Sequence, residues 1–211
     1  MILTEDILPG QIYFKKLVRQ AFANNRFPQS LILTGKDMVS LQVYAQWLGQ
    51  MILCESETEK SCGVCSHCLK FNALTHPDLH LIFPATASSG TDELKTTVKQ
   101  LSEQPFSELE IPETADILIN SVREMTKLLS RSPFEGDKRV IIFFHADRLR
   151  KEAANAFLKT LEEPPVGTYF ILVSTDPSLM LSTILSRCQQ LKLEPFHPDE
   201  LRNFLSGRGV E

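Results

Sequence analysis

The most informative absences in this chain of 211 residues concern hydrophobic length and positive charge. No apolar run approaches the roughly 20 residues that a membrane-spanning helix needs, which argues against insertion into a bilayer. The first residues, MILTEDILPG, lack a basic region followed by an apolar stretch, so we expect no secretory signal and a reducing cytosol as the environment. The formal charge of −4 and the pI near 5.8 argue against capture of nucleic acid by bulk electrostatics.

The hydrophobic pattern predicts an α/β fold. Short apolar runs alternate with amphipathic stretches, which favours a parallel sheet covered by helices on both faces. Four or five strands are predicted, and most are too continuously apolar for a half-exposed antiparallel sheet. These strands are Ser30–Thr34, Leu79–Pro84, Val140–His145, Tyr169–Ser174 and Gln189–Leu193. The helical patterns are Gln11–Asn24, Ser40–Leu53, Ile119–Ser130, Lys151–Leu161 and Leu179–Leu185.

Two segments depart from this alternation. Residues 85–115 contain ATASSGTDELKTT and a run rich in Pro and Glu, which predicts an insertion with one short helix near Asp92–Ser102 and little function. Residues 195–211 begin a new helix after a proline and then stop. Because one helix cannot form a domain, we expect the natural protein to be longer.

Four cysteines form a candidate metal site. Cys54, Cys62, Cys65 and Cys68 follow the spacing Cys-x7-Cys-x2-Cys-x2-Cys. Four thiolates complete the tetrahedral shell of structural Zn²⁺ and leave no position for substrate. Disulfides are disfavoured in a reducing cytosol, a redox pair needs only two cysteines, and iron–sulfur spacings place the fourth ligand differently, so zinc is favoured over all three. Cys188 lies far away and is predicted to be a buried thiol.

A phosphate-binding loop is outlined after the first strand but lacks its chemistry. Gly35 starts the motif Gly-x4-Gly-Lys-Ser/Thr correctly, yet Ser40, Leu41 and Gln42 stand where Gly-Lys-Thr should follow. Leucine brings no charge to a polyphosphate, and glutamine does not replace a short hydroxyl that binds magnesium. We therefore expect no ATP binding. On this segment alone, an ordinary strand–turn–helix that never bound a ligand is the better explanation.

Four features together resemble the bacterial DNA polymerase III clamp-loader subunits, which belong to the AAA+ class of P-loop ATPases. They are NAFLKTLEEPP at 155–165, STDP at 174–177, ILSRC at 184–188 and the cysteine module after the first P-loop helix. The resemblance covers most of residues 10–205. The spacing between Cys54 and Cys62 is one residue shorter than expected for the family, and the insertion at 85–115 is a second departure.

The resemblance implies an AAA+ domain over residues 1–194, with a zinc module at about 54–68 and the start of a helical lid domain at 195–211. In motor subunits of this family the strand equivalent to Val140–His145 ends in Asp-Glu, which serve magnesium and the attacking water. Here Phe144 and His145 occupy those places, and Asp147 is expected to cap or pair near the next helix. The chain therefore resembles the non-hydrolysing member of the ring.

Arg187 is the residue with a predicted role in catalysis. In the family, the arginine of Ser-Arg-Cys reaches the γ-phosphate of ATP in the adjacent motor subunit, and such a finger contributes about 10³–10⁵ in rate. From the sequence alone, capping of helix carbonyls is the preferred explanation of this arginine, and only the resemblance to the family favours the finger. Glu162 and Glu163 end a helix where negative charge is unfavourable, so they either meet basic groups or form a solvated pair.

The resemblance also implies the partners. They are the ATP-hydrolysing motor subunits, the delta subunit and, through the complex, the sliding clamp and primer-template DNA. Two rival functions remain, an ATPase with an unorthodox loop and a zinc-module protein that binds nucleic acid by itself.

The histidines receive no catalytic role: His67 is expected to be exposed, and His76, His80 and His197 adjoin prolines or strand ends.

Overall fold

Five parallel strands form one sheet in the computed structural model, which describes residue 8 and residues 10–57, 60–86 and 91–194, without the side chains of residues 91 and 92. The strands are β1 (Ser30–Thr34), β2 (Leu79–Ile82), β3 (Arg139–Phe143), β4 (Thr168–Ser174) and β5 (Gln189–Lys192). Their order across the sheet is β2-β3-β4-β1-β5. The predicted parallel sheet is confirmed, with every strand end within two residues of its expected place.

Seven helices are found in the described part of the chain: α1 (Ile12–Ala23), α2 (Met38–Leu53), α3 (Ser66–Asn72), α4 (Thr91–Glu103), α5 (Ile119–Leu129), α6 (Lys151–Glu162) and α7 (Ser182–Leu185). The prediction of one helix over Leu179–Leu185 is wrong, because extended backbone at Met180 and Leu181 separates a short 3₁₀ turn from α7. The helix α3 was not predicted. Within the described residues, no helix has the length and apolar character needed to cross a membrane.

The sheet separates two apolar clusters, as a doubly covered parallel sheet requires. In β1, Leu31 and Leu33 face the cluster formed with α1 and α2, whereas Ile32 faces the cluster formed with α5, α6 and α7. All three side chains are fully buried. The helix α2 is buried almost all round, which explains its nearly continuous apolar sequence.

The turn between α6 and β4 follows the predicted proline break. Pro164 and Pro165 come directly after the end of α6, and Gly167 then adopts φ +74°. A Cβ atom at Gly167 would lie 2.0 Å from the backbone oxygen of Asp137, so this position requires glycine. The turn fixes the end of α6 relative to the sheet.

The predicted insertion is part of the core. The expected short helix within residues 85–115 is confirmed as α4, and Leu101 and Leu109 are buried in the same cluster as α2. On the other side of α2, Gly49 allows a close approach of α3, because a Cβ atom there would lie 2.9 Å from the Phe71 ring. Residues 195–211, predicted to begin a lid domain, lie outside the described residues.

Candidate functional site

Four cysteine sulfurs gather at the end of α2 and around α3. Cys54 follows the last residue of α2, and Cys65 and Cys68 lie at the start of α3. The Sγ–Sγ distances are 3.7 Å for Cys54 and Cys62, 4.0 Å for Cys54 and Cys65, and 3.9 Å for Cys62 and Cys68. All four sulfurs lie within 4.8 Å of one another. The fold therefore brings together the four residues that the spacing indicated.

These distances fit a tetrahedral zinc ion. With Zn–S bonds of about 2.3 Å, a regular tetrahedron separates its sulfurs by about 3.8 Å. A disulfide needs about 2.05 Å, and the cysteines are free thiols. The backbone N–H of Cys65 donates to Cys62 Sγ, and that of Cys68 donates to Cys65 Sγ, each over 3.4 Å. Donors of this kind favour the thiolate, which is the form that binds metal.

Burial and hydrogen bonds shift the thiol pKa values within the cluster in opposite directions. Burial raises the pKa of Cys54 and of Cys68. Burial acts in the same direction on Cys62, but the backbone N–H groups of Val64 and Cys65, together with neighbouring thiols, outweigh it and lower the pKa of Cys62 to about 7. A bound divalent cation displaces the protons of such crowded thiols and compensates the buried charge.

The prediction that His67 is exposed is wrong. Its ring is buried, with Nε2 2.8 Å from Glu55 Oε1 and Nδ1 2.8 Å from His76 Nε2. The backbone N–H of Asp78 donates to His76 Nδ1 over 3.0 Å, so His76 carries its proton on Nε2 and donates it to His67. Burial lowers the pKa of His76, in agreement with a neutral ring. These tautomers form a hydrogen-bonded chain, and Glu135 lies near enough to both rings that the three side chains could also hold a metal ion.

At its other end, α2 begins without room for a phosphate-binding loop. Only Gly35, Lys36 and Asp37 separate β1 from α2. Asp37 is the N-cap residue, and its carboxylate accepts hydrogen bonds from the backbone N–H groups of Val39 at 3.3 Å and Ser40 at 2.8 Å. Free N–H groups at a helix N-terminus are what binds phosphate. Here a carboxylate of the same chain satisfies two of them and adds a negative charge.

The residues at the positions of Gly-Lys-Thr bind protein groups instead. The Ser40 hydroxyl contacts the Asp37 carboxylate. Leu41 is fully buried in the apolar cluster around α2. Gln42 is fully buried as well, and its Nε2 donates to two backbone oxygens of the predicted insertion, at 2.9 and 2.7 Å. The Ser40 hydroxyl and the Gln42 amide nitrogen are thus paired within the chain, whereas Gln42 Oε1 is buried without a hydrogen-bond partner among the described residues.

The end of β3 shows the same replacement. Phe144 is fully buried and stacks on Phe83, with ring centroids 4.9 Å apart. His145 follows in a left-handed conformation with φ 51°, and burial lowers its pKa. Of the two roles predicted for Asp147, capping or pairing near the next helix, capping is wrong, because α6 begins after Arg150 without a side-chain cap. Asp147 lies in a short 3₁₀ turn, where its Oδ1 is buried and has no hydrogen-bond partner among the described residues.

Arg187 lies between α7 and β5, and its guanidinium is held by the chain itself. Its Nε donates to Glu162 Oε1 over 2.9 Å, its Nη2 contacts the same oxygen, and its Nη1 donates to the backbone oxygen of Thr183 over 2.9 Å. Arg187 therefore caps a helix carbonyl, and Glu162 meets a basic group of its own chain. The next residue, Cys188, is a buried thiol as expected, and burial raises its pKa to about 12.

Asp37 was missed in the sequence. The signal was present, because an aspartate directly before an apolar helical pattern is typical of an N-cap. Alignment to the phosphate-loop motif placed Asp37 inside the loop and so hid its role. The contact of Glu162 with Arg187 had only a general signal, the unfavourable charge at a helix end.

The order of the parallel strands, with a helix entered directly from β1, is that of the AAA+ class of P-loop folds. A RuvB of Thermotoga maritima has this fold with a TM-score of 0.57 and 14% sequence identity, and the match covers 100% of this chain and 56% of that one. At this identity the likeness concerns the fold alone.

The sequence comparisons define the family. The model of the family described as DNA polymerase III, delta subunit, matches residues 10–197, and the chain belongs to that family. DNA polymerase III subunit delta' of Bacillus subtilis is 27% identical over 195 residues, covering 92% of this chain and 51% of the relative. The subunit delta' of Escherichia coli K12 is 33% identical over 183 residues, covering 86% and 47%. The chain thus spans about half the length of these curated relatives.

Proposed function

We propose that this chain is the N-terminal part of a non-hydrolysing clamp-loader subunit that helps load the sliding clamp onto primer-template DNA in replication. Family membership and the relatives named delta' support the clamp-loader assignment. The proposed organisation is an AAA+ domain over residues 1–194, with a zinc module at about 54–68 and an insertion at about 85–115. Residues 195–211 are proposed to begin the lid domain.

The capping of α2 by Asp37 is the observation that best supports the proposal that the chain binds no ATP. A polyphosphate at this helix end would compete with a covalently attached carboxylate for the same N–H groups and would meet its negative charge. Leu41 supplies no cation in exchange. We therefore propose that the chain binds no ATP and has no ATPase activity of its own.

Phe144 and His145 support the same conclusion for magnesium. Magnesium prefers oxygen ligands and is held through one or two carboxylates together with phosphates. A phenyl ring stacked on Phe83 offers no ligand, and a neutral imidazole is a poor substitute. The chain is therefore proposed to lack both the backbone donors for phosphate and the carboxylate ligands for magnesium.

The four clustered thiolates of Cys54, Cys62, Cys65 and Cys68 are proposed to hold Zn²⁺. Bound there, the ion supplies a closed tetrahedral shell that holds shape and leaves no position open for substrate. The chain contributes the sulfurs and the backbone donors of Cys65 and Cys68 that stabilise them. The site ties the end of α2 to α3.

Arg187 is proposed to act in trans on ATP bound to the neighbouring motor subunit. A guanidinium neutralises charge that develops in phosphoryl transfer, and it also senses whether ATP is present. Its position after a short helix, with 31% of the side chain exposed, leaves it accessible to a partner. The proposed partners are the motor subunits and the delta subunit, with the sliding clamp and DNA reached through the complex in the bacterial cytoplasm at the replisome.

One experiment tests the trans role. The full-length protein is reconstituted with its motor subunits, and DNA-stimulated ATP turnover is compared for wild type and Arg187→Ala. We expect turnover at the site served by Arg187 to fall by about 10³-fold or more. Arg150→Ala is the matched control, because it removes another partly exposed guanidinium that pairs with a carboxylate, that of Asp116. Unchanged turnover in Arg187→Ala would remove the assignment.

A titration of the isolated chain separates the rival functions. We expect no binding of Mg-ATP at micromolar concentrations and no strongly salt-dependent affinity for DNA. Micromolar Mg-ATP binding would favour an ATPase with an unorthodox loop. Salt-dependent DNA binding by the chain alone would favour a zinc-module nucleic-acid-binding protein.

A further inference from the structure

The guanidinium of Arg187 uses only part of its donor set within the chain. A guanidinium has five N–H groups. The structure gives it three contacts: Nε and Nη2 with Glu162 Oε1, and Nη1 with the Thr183 backbone oxygen. Among the described residues, one N–H on Nη1 and one on Nη2 are therefore left over.

The two remaining donors have a defined geometry. Nε and Nη2 form the side edge of the guanidinium, and that edge is bound to a single carboxylate oxygen of Glu162. Nη1 and Nη2 together form the end of the same planar group. This end is the fork that binds two oxygens of one phosphate at the same time. Each of its two nitrogens keeps one N–H that the described residues do not use while the side edge is held.

The core fixes the backbone at both residues that hold the guanidinium, although the Glu162 side chain itself is exposed. Leu161 immediately precedes Glu162 and is buried in the apolar cluster on the α5–α7 face of the sheet. Ile184 immediately follows Thr183 and is buried in that cluster too. The proline turn after α6 gives Glu162 a fixed place at the helix end. A long flexible side chain is thus oriented by two groups that do not themselves depend on it.

We propose that Glu162 is a positioning residue, which holds the side edge of Arg187 so that the end fork points at an anion carried by another molecule. This inference rests on the proposed function, in which that anion is the γ-phosphate of ATP on the neighbouring motor subunit. Binding of phosphate does not require Arg187 to leave Glu162, because the two ligands use different edges. The pair also places a positive charge against the carboxylate at the C-terminal end of α6.

The test is a double-mutant cycle in the reconstituted loader that contains the full-length protein, with ATP turnover measured at saturating ATP in the presence of clamp and primer-template DNA. We expect Glu162→Ala to lower kcat at the site served by Arg187 by about 10- to 100-fold, with little change in KM, since misplacement of a catalytic group acts on the chemical step. Glu162→Gln keeps an oxygen acceptor and should recover much of the rate. Glu163→Gln, at the adjacent exposed position, should behave as wild type.

The cycle distinguishes positioning from a structural role. In an Arg187→Ala background, Glu162→Ala should cause no further loss, because Glu162 acts only through the arginine. An equal loss with and without Arg187 would overturn the inference. Wild-type or faster turnover in Glu162→Ala, with Arg187→Ala still impaired, would overturn the inference and leave the proposed function intact. Full turnover in Arg187→Ala would overturn both.

Discussion

The two ends of α2 differ in how their ligand-forming groups are paired. At the N-terminal end, Asp37 and Gln42 engage groups of the same chain where a nucleotide is bound in motor ATPases. At the C-terminal end, Cys54 meets three other thiols in a cluster that could hold a metal ion. One helix therefore joins an end whose polar groups bind the chain itself to an end where four thiols lie together and could bind an ion.

With the proposed absence of ATP binding, the difference indicates how the fold keeps its shape without a nucleotide. A binding site abandoned without replacement would leave unsatisfied donors at the helix start and a cavity beside the sheet, and both destabilise a protein. Leu41 and Phe144 instead fill space in one apolar cluster. The four-cysteine cluster shows no such substitution, so we expect the proposed zinc ion to be needed for its stability.

Loss of the metal is the change with the largest expected effect. We expect Cys68→Ser to reduce the zinc content from one ion per chain to none and to destabilise the protein by several kcal/mol, on the order expected for a structural metal. Cys68 is fully buried, so no nearby water replaces its sulfur. Atomic absorption measures the zinc, and denaturant unfolding measures the stability.

The matched control for this variant is Cys188→Ala, which removes a buried thiol that lies far from the cluster in sequence. It should retain one zinc ion. Hydrogen exchange should show that Cys68→Ser loses protection at residues 60–72 while β1, β3 and β4 stay protected. Retention of stoichiometric zinc by Cys68→Ser would contradict the four-thiolate site.

A substitution of Gln42 tests whether its hydrogen bonds within the chain stabilise the N-terminal part of α2. Its side chain is the donor to the backbone oxygens of Pro105 and Ser107. Gln42→Ala should cost about 1–3 kcal/mol, since it removes a buried donor from two carbonyls. Gln100→Ala removes an exposed amide that donates to the Glu108 oxygen, and it should change stability by less than about 0.5 kcal/mol. Equal effects in urea unfolding would contradict the proposed tie.

The sheet and the long helices were predictable because their signal is local and repeated. Strands such as Ser30–Thr34 are short, apolar and β-branched or leucine-rich, and burial of both faces leaves no other assignment. The helix α3 was not predictable in this way, since its seven residues are held by Cys65 at its N-cap and by packing of Phe71 against Gly49. These are tertiary contacts, and they have no periodicity in the sequence.

The cysteine site was predictable from spacing, whereas its surroundings were not. A metal site constrains four residues within a short stretch, so the pattern is visible in the sequence. Buried His67 contacts His76 and Glu55, and these residues come together only when the chain folds. The same holds for Glu162 and Arg187, which are 25 positions apart. Pairwise contacts of this kind require the structure.

Substitution of Asp37 has a smaller expected effect on stability and tests the N-cap of α2 directly. Asp37→Ala should cost about 1 kcal/mol through loss of the N-cap, which lowers Tm by about 2–4 °C in a domain of this size. Asp37→Asn is the matched control, because it keeps a capping oxygen and removes only the charge, so it should stay close to wild type in stability. Neither variant should bind Mg-ATP, since Leu41 and Phe144 remain. Tight Mg-ATP binding by either one would mean that Asp37 alone had closed the site.

The smallest expected effect concerns the pH dependence contributed by His145. Burial lowers the pKa of His145, an effect that Arg148 reinforces and that Asp147 and Glu108 oppose. The folded ring is therefore neutral, while the unfolded ring takes up a proton below its ordinary pKa of about 6.5. Its contribution to the free energy of unfolding accordingly falls as pH decreases through about 6.5 and levels off below the folded pKa.

His145→Asn removes this titration and suits the left-handed backbone at that position. The stability of the variant should then decline less steeply than wild type between about pH 7 and pH 5, with a difference in slope of at most about 1.4 kcal/mol per pH unit. Zinc affinity also weakens as thiolates take up protons, so both proteins must be compared at equal zinc occupancy. The difference between the two pH profiles then measures the contribution of His145 alone. Parallel pH profiles would show that His145 does not titrate on unfolding.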